Sequence, residues 1–213
     1  MNDLLNKING FGVVPVLVLD DSKNASLAAR ALIDGGLPCA EVVFRTPAAE
    51  ESIRIISKEH PQMLLGAGTV LTVRQVELAI AAGAKFIVSP GLNPKLVKHC
   101  QSTKIPIIPG GMTPSEIEAA IGLGLDTVKF FPAEIAGGID MVKALSAPYP
   151  EIKFMPTGGI NIDNLSSYLN FNKVMACGGS WMAKKELINN GNFKEITRLT
   201  KEVVSAVKKL RGV

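Results

Sequence analysis

A lysine near the middle of the chain has the surroundings of a nucleophile. Lys129 lies within Thr127-Val-Lys-Phe-Phe-Pro-Ala-Glu134, an apolar, strand-like run that a proline ends. Loss of hydration among Val128, Phe130 and Phe131 disfavours a charged ammonium, so a neutral amine becomes available to attack a carbonyl carbon and form a Schiff base. The alternative is a lysine at a strand end whose long side chain carries its ammonium group out into water.

Two opposite charges share one face of an earlier apolar run. In Glu41-Val-Val-Phe-Arg45, the two-residue period of a strand puts Glu41 and Arg45 on the same face. Opposite charges on a buried strand are costly unless they are paired or used in chemistry. The sequence leaves two interpretations open, a structural salt bridge and a functional acid/base group with a cation.

Glycine-rich turns follow the last two apolar runs of the chain. One turn is Thr157-Gly-Gly159 and the other is Gly178-Gly-Ser180. In eight-stranded barrels, the turns after the last two strands commonly bind phosphate through backbone N–H groups and helix N-termini. Two such turns and the Ser180 hydroxyl favour a phosphate site over simple chain reversal. Gly66-Ala-Gly-Thr69, in contrast, lacks the third glycine of a dinucleotide-binding motif.

The elements that must position these residues alternate between strands and helices. Eight apolar runs rich in β-branched residues recur at fairly even spacing, with helical segments between them. Near-continuous apolar strands indicate burial on both faces, so we predict a single (β/α)8 barrel over residues 1–213, with a doubly wound sheet as the alternative. The predicted strands are Val13–Leu19, Cys39–Phe44, Leu64–Val70, Phe86–Pro90, Ile105–Pro109, Thr127–Pro132, Lys153–Thr157 and Val174–Gly178.

The helices carry recognisable start and stop signals. Capping boxes are predicted at Thr72-Val-Arg-Gln75 and Thr113-Pro-Ser-Glu116. An extra N-terminal helix over Asp3–Asn9 is expected to cover the bottom of the barrel, and Phe193–Leu210 is predicted as the last outer helix. Helix stops are predicted at Gly35-Gly36, Gly83 and Gly124.

Composition narrows the function class. With 213 residues, 47% hydrophobic and 20% charged, the chain has the size of one α/β domain. The net charge of +4 suits a small acidic substrate, but the basic residues are spread along the chain, which argues against nucleic acid. The N-terminal residues lack the apolar core of a signal peptide and no later run is long enough to span a membrane, so we expect a cytoplasmic protein without a membrane partner.

Cysteine and histidine usage argues against a metal centre. Cys39, Cys100 and Cys177 are widely separated, without the spacing of a zinc site or a disulfide framework, so buried thiols are expected. His60 and His99 are isolated from each other and from acidic pairs. The sequence therefore predicts chemistry that needs no metal.

In combination and in this order, the motifs resemble those of the 2-dehydro-3-deoxy-6-phosphogluconate (KDPG) aldolase family, which also includes 4-hydroxy-2-oxoglutarate (KHG) aldolase. The resemblance runs almost from end to end. Its marks are Glu41 with Arg45-Thr-Pro47, Gly66-Ala-Gly-Thr-Val70, Ser89-Pro-Gly91, Lys129-Phe-Phe-Pro-Ala-Glu134, Pro156-Thr-Gly-Gly159 and Gly178-Gly-Ser-Trp181.

The resemblance implies a class I lyase with a (β/α)8 fold, no metal and no cofactor, and a homotrimeric assembly. It implies that KDPG, a 2-keto-3-deoxy sugar acid phosphate, is cleaved to pyruvate and glyceraldehyde 3-phosphate, with KHG as a further substrate. The residues that it assigns are Lys129 to the Schiff base, Glu41 to acid/base catalysis, Arg45 and Thr69 to the pyruvyl carboxylate, Pro90 and Phe131 to the pocket wall, and Gly158, Gly159 and Ser180 to the phosphate.

Three alternatives stay open at the level of the sequence. An aldolase for the galactonate epimer would share Lys129 and differ in its contacts to the C4 hydroxyl. An isomerase or epimerase built on a phosphate-binding barrel would use the same glycine turns without an imine. A sugar-phosphate sensor would keep Glu41 and Lys129 as a buried ion pair and would bind its ligand without consuming it.

Overall fold

Parallel strands alternate with helices along the chain. The computed structural model describes residues 3–212. The strands are β1 (Val13–Leu17), β2 (Cys39–Val43), β3 (Leu64–Gly68), β4 (Phe86–Val88), β5 (Ile107–Ile108), β6 (Thr127–Phe130), β7 (Lys153–Pro156) and β8 (Cys177–Gly179). The helices within this range are α1 (Asp3–Phe11), α2 (Ala25–Asp34), α3 (Ala49–Glu59), α4 (Val73–Ala82), α5 (Pro94–Ser102), α6 (Pro114–Gly122), α7 (Gly138–Ser146), α8 (Leu165–Leu169), α9 (Lys185–Asn189) and α10 (Phe193–Arg211).

The strands form a curled parallel sheet. Six strands pair in the order β5-β4-β3-β2-β1-β8, and β6 pairs with β7. Isolated parallel bridges link these two sets: Gly110 pairs with Lys129 on one side, and Thr157 pairs with Gly178 on the other. Strands that neighbour each other in sequence also neighbour each other in space, and β1 lies beside β8. This order differs from a doubly wound sheet, where strand order reverses at a switch point.

All eight strands are shorter than their predicted apolar runs, and two of them begin later than predicted. The run from Ile105 forms a strand only at Ile107–Ile108, because the Ile105 N–H donates to Cys100 O at the end of α5 and Pro106 has no N–H to donate. β8 begins at Cys177 rather than Val174: Val174 forms only an isolated parallel bridge with Phe154, and its N–H closes a turn on Phe171 O. In both cases the first N–H of the run donates to the segment that precedes the strand.

The predicted helix signals are confirmed. Thr72 and Thr113 both begin helices with complete capping boxes, in which the threonine hydroxyl accepts from the backbone of the third helical residue and that residue's side chain accepts in return. Gly83 ends α4 in the left-handed conformation, with φ 107°. α1 and α10 extend two residues and one residue beyond the predicted Asp3–Asn9 and Phe193–Leu210.

The interior of the sheet carries a small apolar cluster. Phe86 fills the space that glycine leaves on the neighbouring strand, because a Cβ at Gly66 would lie 2.3 Å from its ring. Leu5 and Ile8 of α1 join this cluster, so the first helix covers its lower end. The strand ends opposite α1 are therefore the open side, where polar side chains are accommodated.

The three cysteines are free and buried, as the sequence predicts. Burial raises the pKa of the Cys39 and Cys177 thiols well above its ordinary value and that of Cys100 to about 11, so these thiols stay protonated and unreactive. Within residues 3–212, no group of three or more histidine, cysteine, aspartate or glutamate side chains is arranged to hold a metal ion. No helix of the described range is long and apolar enough to cross a membrane.

Candidate active site

A buried ion pair lies in the interior of the curled sheet. Lys129 Nζ on β6 donates to Glu41 Oε1 on β2 over 3.3 Å, with the two side chains 5% and 0% exposed. The second carboxylate oxygen, Glu41 Oε2, is buried and has no hydrogen-bond partner among the described residues. An orphaned buried acceptor is costly, so this oxygen is available to a hydroxyl or a water in the site.

Glycines on β3 make room for the glutamate. β2 and β3 pair in parallel with Glu41 opposite Gly66 and Val43 opposite Gly68. A Cβ at Gly68 would lie 1.9 Å from Glu41 Oε1, so only glycine leaves space for the carboxylate in this position. The Gly66-Ala-Gly68 segment thus serves the site by its lack of side chains, and the polar Thr69 follows directly after it.

Arg45 does not pair with Glu41, so the salt bridge within β2 that the sequence left open is not formed. β2 ends at Val43, and the chain turns before Arg45 reaches the interior. Instead, Arg45 Nε donates to Thr69 Oγ1 over 3.1 Å at the rim of the strands. The two charges therefore act separately, Glu41 on Lys129 inside and Arg45 at the solvent-facing mouth.

Thr69 holds an unusual backbone conformation. Its φ of 52° lies in the left-handed region, which is disfavoured for a β-branched residue and costs on the order of 1–3 kcal/mol. The surrounding structure fixes it: the Val70 N–H donates to Val88 O, and the Phe44 N–H donates to Gly68 O. Backbone strain of this kind clusters at functional sites, and here it sets the direction of the hydroxyl that meets Arg45.

A cavity of about 130 Å³ connects the rim to the glycine turns. Its lining includes Arg45, Phe131, Thr157, Gly158, Gly159 and Ser180. The Phe131 ring links the cavity to the buried pair, because Lys129 Nζ lies 5.5 Å from its centroid. One face of this ring is therefore turned to the ammonium group and its edge approaches Gly158, where an added Cβ would lie 3.3 Å from Phe131 Cδ2.

Pro90 lies apart from this cavity. It follows β4 and is half-buried, and its carbonyl oxygen would lie 2.0 Å from a Cβ on Gly110. Gly110 in turn pairs with Lys129 through a parallel bridge. The structure therefore places Pro90 beside the lysine strand, on the side of Lys129 that leads to β4 and β5, rather than with Arg45 and Ser180.

Hydrogen bonds from residues outside the turn fix both carbonyl groups of the first glycine turn, Gly158–Gly159. Gly158 and Gly159 have φ values of 100° and 81°, which glycine adopts without strain. Gly158 O accepts from the Glu134 N–H over 3.1 Å, and Gly159 O accepts from Asn164 Nδ2 over 3.1 Å. The turn is thus held in one conformation by groups that precede and follow it in the chain.

The centre of the site is a buried lysine in contact with a buried carboxylate, Lys129 with Glu41. The family model for KDPG and KHG aldolase matches residues 4–199. The chain belongs to the KDPG and KHG aldolase family. This match confirms the family resemblance that the sequence motifs indicate.

Relatives in this family cover almost the full length. The 2-dehydro-3-deoxy-phosphogluconate aldolase of Haemophilus influenzae is 46% identical over 205 residues, 96% of this chain and 97% of that protein. The enzyme of the same name from Treponema pallidum is 49% identical over 195 residues, 92% and 93% of the two chains. The crystal structure of KDPG aldolase from Legionella pneumophila, with pyruvate captured as a covalent carbinolamine intermediate, superposes with a TM-score of 0.90 at 41% identity, covering 93% and 97%.

Some residues of this KDPG and KHG aldolase site were not found from the sequence. Thr157, Ile160 and Val16 line the cavity. Thr157 stands immediately before Gly158 in the phosphate motif, a position that signals it, whereas Val16 and Ile160 look like ordinary core residues of a strand and a turn. Their contribution depends on tertiary placement rather than on residue type.

Proposed function

We propose that this chain is a class I aldolase that cleaves KDPG to pyruvate and glyceraldehyde 3-phosphate, with KHG as a second substrate. The observation that carries the proposal is the buried Lys129–Glu41 pair, 3.3 Å apart, in the interior of a chain of the KDPG and KHG aldolase family. A nucleophilic amine beside a carboxylate with one free oxygen is the combination that imine chemistry needs.

The first stage forms the imine. Because both groups are buried, transfer of a proton from Lys129 Nζ to Glu41 removes two buried charges and leaves a neutral amine. The amine adds to the C2 ketone, and a proton passes from nitrogen to oxygen to give a carbinolamine. Glu41 then returns its proton to the departing hydroxyl, so that water leaves and a protonated imine remains.

The second stage cleaves the C3–C4 bond. Glu41, again a carboxylate, takes the C4 hydroxyl proton directly or through a water, and the bonding electrons flow into the imine. The aldehyde departs and an enamine remains on Lys129. Glu41 protonates C3 to regenerate the imine, whose hydrolysis releases pyruvate and restores the ammonium–carboxylate pair, so that protons balance over the cycle.

Arg45 and Thr69 are proposed to hold the pyruvyl carboxylate. The Arg45 guanidinium has donors beyond the one that Thr69 accepts, and a planar guanidinium matches a carboxylate. Phe131 is proposed to pack against the substrate chain between Lys129 and the glycine turns, since its ring touches both regions. Pro90 is proposed to form the opposite wall beside the lysine strand.

The phosphate is proposed to bind at Gly158, Gly159 and Ser180. In a trans peptide the N–H points in the direction opposite to the preceding C=O. Gly158 O and Gly159 O are bonded to Glu134 and Asn164, so the N–H groups of Gly159 and Ile160 point away from these two residues. Neither of these N–H groups donates to another group within residues 3–212, and both residues line the cavity. Free, pre-aimed backbone donors are what a phosphate needs.

The wider architecture that this proposal assumes is a complete, closed (β/α)8 barrel in one domain over residues 1–213. The parallel bridges at Gly110–Lys129 and Thr157–Gly178 support closure, because they join the two sets of strands at both junctions. A cytoplasmic homotrimer without cofactor, acting on a small sugar acid phosphate and on neither nucleic acid nor membrane, remains the prediction from family resemblance and composition.

Pyruvate release tests the proposal. The purified protein is incubated with KDPG, with the galactonate epimer and with KHG, and pyruvate is followed by coupled reduction to lactate. We expect the highest kcat/KM on KDPG. Faster turnover of the epimer would identify the galactonate compound as the substrate. Binding of KDPG without pyruvate formation would instead support a sugar-phosphate sensor.

A further inference from the structure

Glu134 ends the lysine motif, but the mechanism above gives its side chain no task. From β6 the chain continues alongside the first glycine turn: the Ala133 N–H donates to Thr157 O over 2.8 Å, and the Glu134 N–H donates to Gly158 O over 3.1 Å. The segment after Lys129 is therefore bonded directly to the turn that is proposed to bind phosphate.

The side chain of Glu134 forms a wall against that turn. A Cβ at Gly159 would lie 2.6 Å from both Glu134 Cβ and Glu134 Cγ, so the aliphatic part of the glutamate occupies the space beside Gly159. The carboxylate continues beyond it, because a Cβ at Gly138 would lie 3.4 Å from Glu134 Oε1 and 3.4 Å from Tyr168 Oη. The stem contacts the turn, and the charged end lies at the start of α7.

Tyr168 fixes the charged end. Its side chain on α8 is fully buried, and its hydroxyl donates a short hydrogen bond to Glu134 Oε1. Burial, and next the neighbouring Glu134 carboxylate, raise the pKa of Tyr168, so the phenol remains a donor across the working range of pH. A hydrogen bond to a carboxylate is stronger than one between neutral groups, and here a rigid ring supplies it.

We infer that Glu134 and Tyr168 are positioning residues for the phosphate: the buried tyrosine holds the glutamate, and the glutamate holds the Gly158–Gly159 turn with its N–H groups toward the ligand. The inference rests on the proposed function. Because the pair lies behind the turn and away from Lys129, it acts on binding of the phosphoryl end and leaves imine formation unchanged.

The chain supplies a matched control. Tyr149 also donates to a glutamate, Glu118, over 3.0 Å, but this pair is exposed and remote from the cavity lining. Tyr168→Phe and Tyr149→Phe therefore delete the same hydroxyl from the same kind of pair in two places. Glu134→Ala removes the acceptor of the same hydrogen bond, and because Glu134 is exposed, this variant is expected to fold. Glu134→Gln keeps an acceptor for the Tyr168 hydroxyl.

The experiment compares KDPG with KHG, which has no phosphate, and adds borohydride trapping of pyruvate. For Tyr168→Phe and Glu134→Ala we expect KM for KDPG to rise about tenfold, since misplacing a binding group by about 1 Å costs up to 10²-fold. Trapping and kcat/KM for KHG stay within about twofold of wild type, and Tyr149→Phe and Glu134→Gln stay close to wild type in every assay.

Three results would overturn the inference. An unchanged KM for KDPG in Glu134→Ala, with trapping intact, removes the positioning role but leaves the aldolase in place. A parallel loss on KDPG, KHG and trapping shows that the pair supports the whole fold rather than the phosphate turn. Failure of the wild-type protein to trap pyruvate overturns the proposed function itself and this inference with it.

Discussion

Two cations at opposite ends of the strands, the buried Lys129 and the half-buried Arg211, have different surroundings. Lys129 lies near the carboxyl end of β6, almost fully buried, with one carboxylate oxygen at 3.3 Å and an aromatic ring at 5.5 Å. Arg211 is the last residue of α10. Its guanidinium donates to Met175 O, just before β8, over 2.7 Å, and to the carbonyl oxygen of Asn9 in α1. One cation has a single charged partner, and the other has backbone carbonyls.

The difference shows how a fold separates chemistry from stability. A guanidinium keeps its proton in proteins and presents several fixed donors, so it suits a permanent link between chain termini. Burial lowers the pKa of Arg211, but its ordinary value is so high that the charge is retained. A lysine presents one compact ammonium group, and at Lys129 this group lies against a carboxylate with a free oxygen, the arrangement that proton exchange in imine chemistry requires.

The largest expected effect is at the catalytic end. Lys129→Ala removes the nucleophile, so pyruvate release from KDPG should be abolished. Lys143→Ala serves as the control, because Lys143 is exposed and its ammonium group pairs, among residues 3–212, with Asp140 alone, at 3.5 Å. Turnover near wild type in the Lys129 variant would rule out the Schiff-base scheme.

Glu41→Gln should slow turnover by about 10²–10⁴-fold, the usual cost of losing a general acid/base. The amide keeps the size of the side chain and can still accept from Lys129, so the fold should be retained. Steady-state kinetics measure the loss, and circular dichroism checks the fold. A loss of less than about threefold would assign proton transfer to another group.

Gly68→Ala replaces neither ionisable group, but it should reduce turnover by about 10²-fold, because its Cβ would lie 1.9 Å from Glu41 Oε1 and would displace the carboxylate. Gly91→Ala is the matched control, since a Cβ there meets no atom within 4 Å. Equal activity of the two alanine variants would show that the position of Glu41 does not limit the reaction.

Arg211→Met should leave kcat nearly unchanged and lower the free energy of unfolding by about 2–4 kcal/mol, because two carbonyls lose their donor. Urea denaturation measures this difference. Arg198→Met is the control: Arg198 pairs with Glu195 and Glu202 on the exposed face of α10, so its unfolding midpoint should move little. A loss of catalysis in folded Arg211→Met would show that chemistry at Lys129 and stability at Arg211 are not separate.

Much of the fold follows from local patterns. Apolar runs predicted the positions of all eight strands, and Thr72 and Thr113 predicted two helix starts to the residue, because capping depends on neighbours within one turn. The length of β5 was overestimated, since the turn that uses the Ile105 N–H is set by the end of α5 rather than by the apolar run.

The site was predicted less completely. Period-two spacing identifies residues on one face of a strand, but it does not identify the partner across the interior, so the choice between Arg45 and Lys129 as partner of Glu41 needed the structure. Likewise, Tyr168 looks like an ordinary core aromatic, and nothing local connects it with Glu134 earlier in the chain. Contacts between distant segments are set by the curl of the sheet.

The most direct test of the account is borohydride reduction in the presence of pyruvate, followed by intact-mass and peptide mass spectrometry. Reduction converts an imine into a stable secondary amine, so we predict one pyruvyl adduct per chain, located on Lys129, and none in Lys129→Ala. An adduct on another lysine, or no adduct in folded protein, would contradict the assignment of the buried Lys129–Glu41 pair as the catalytic centre.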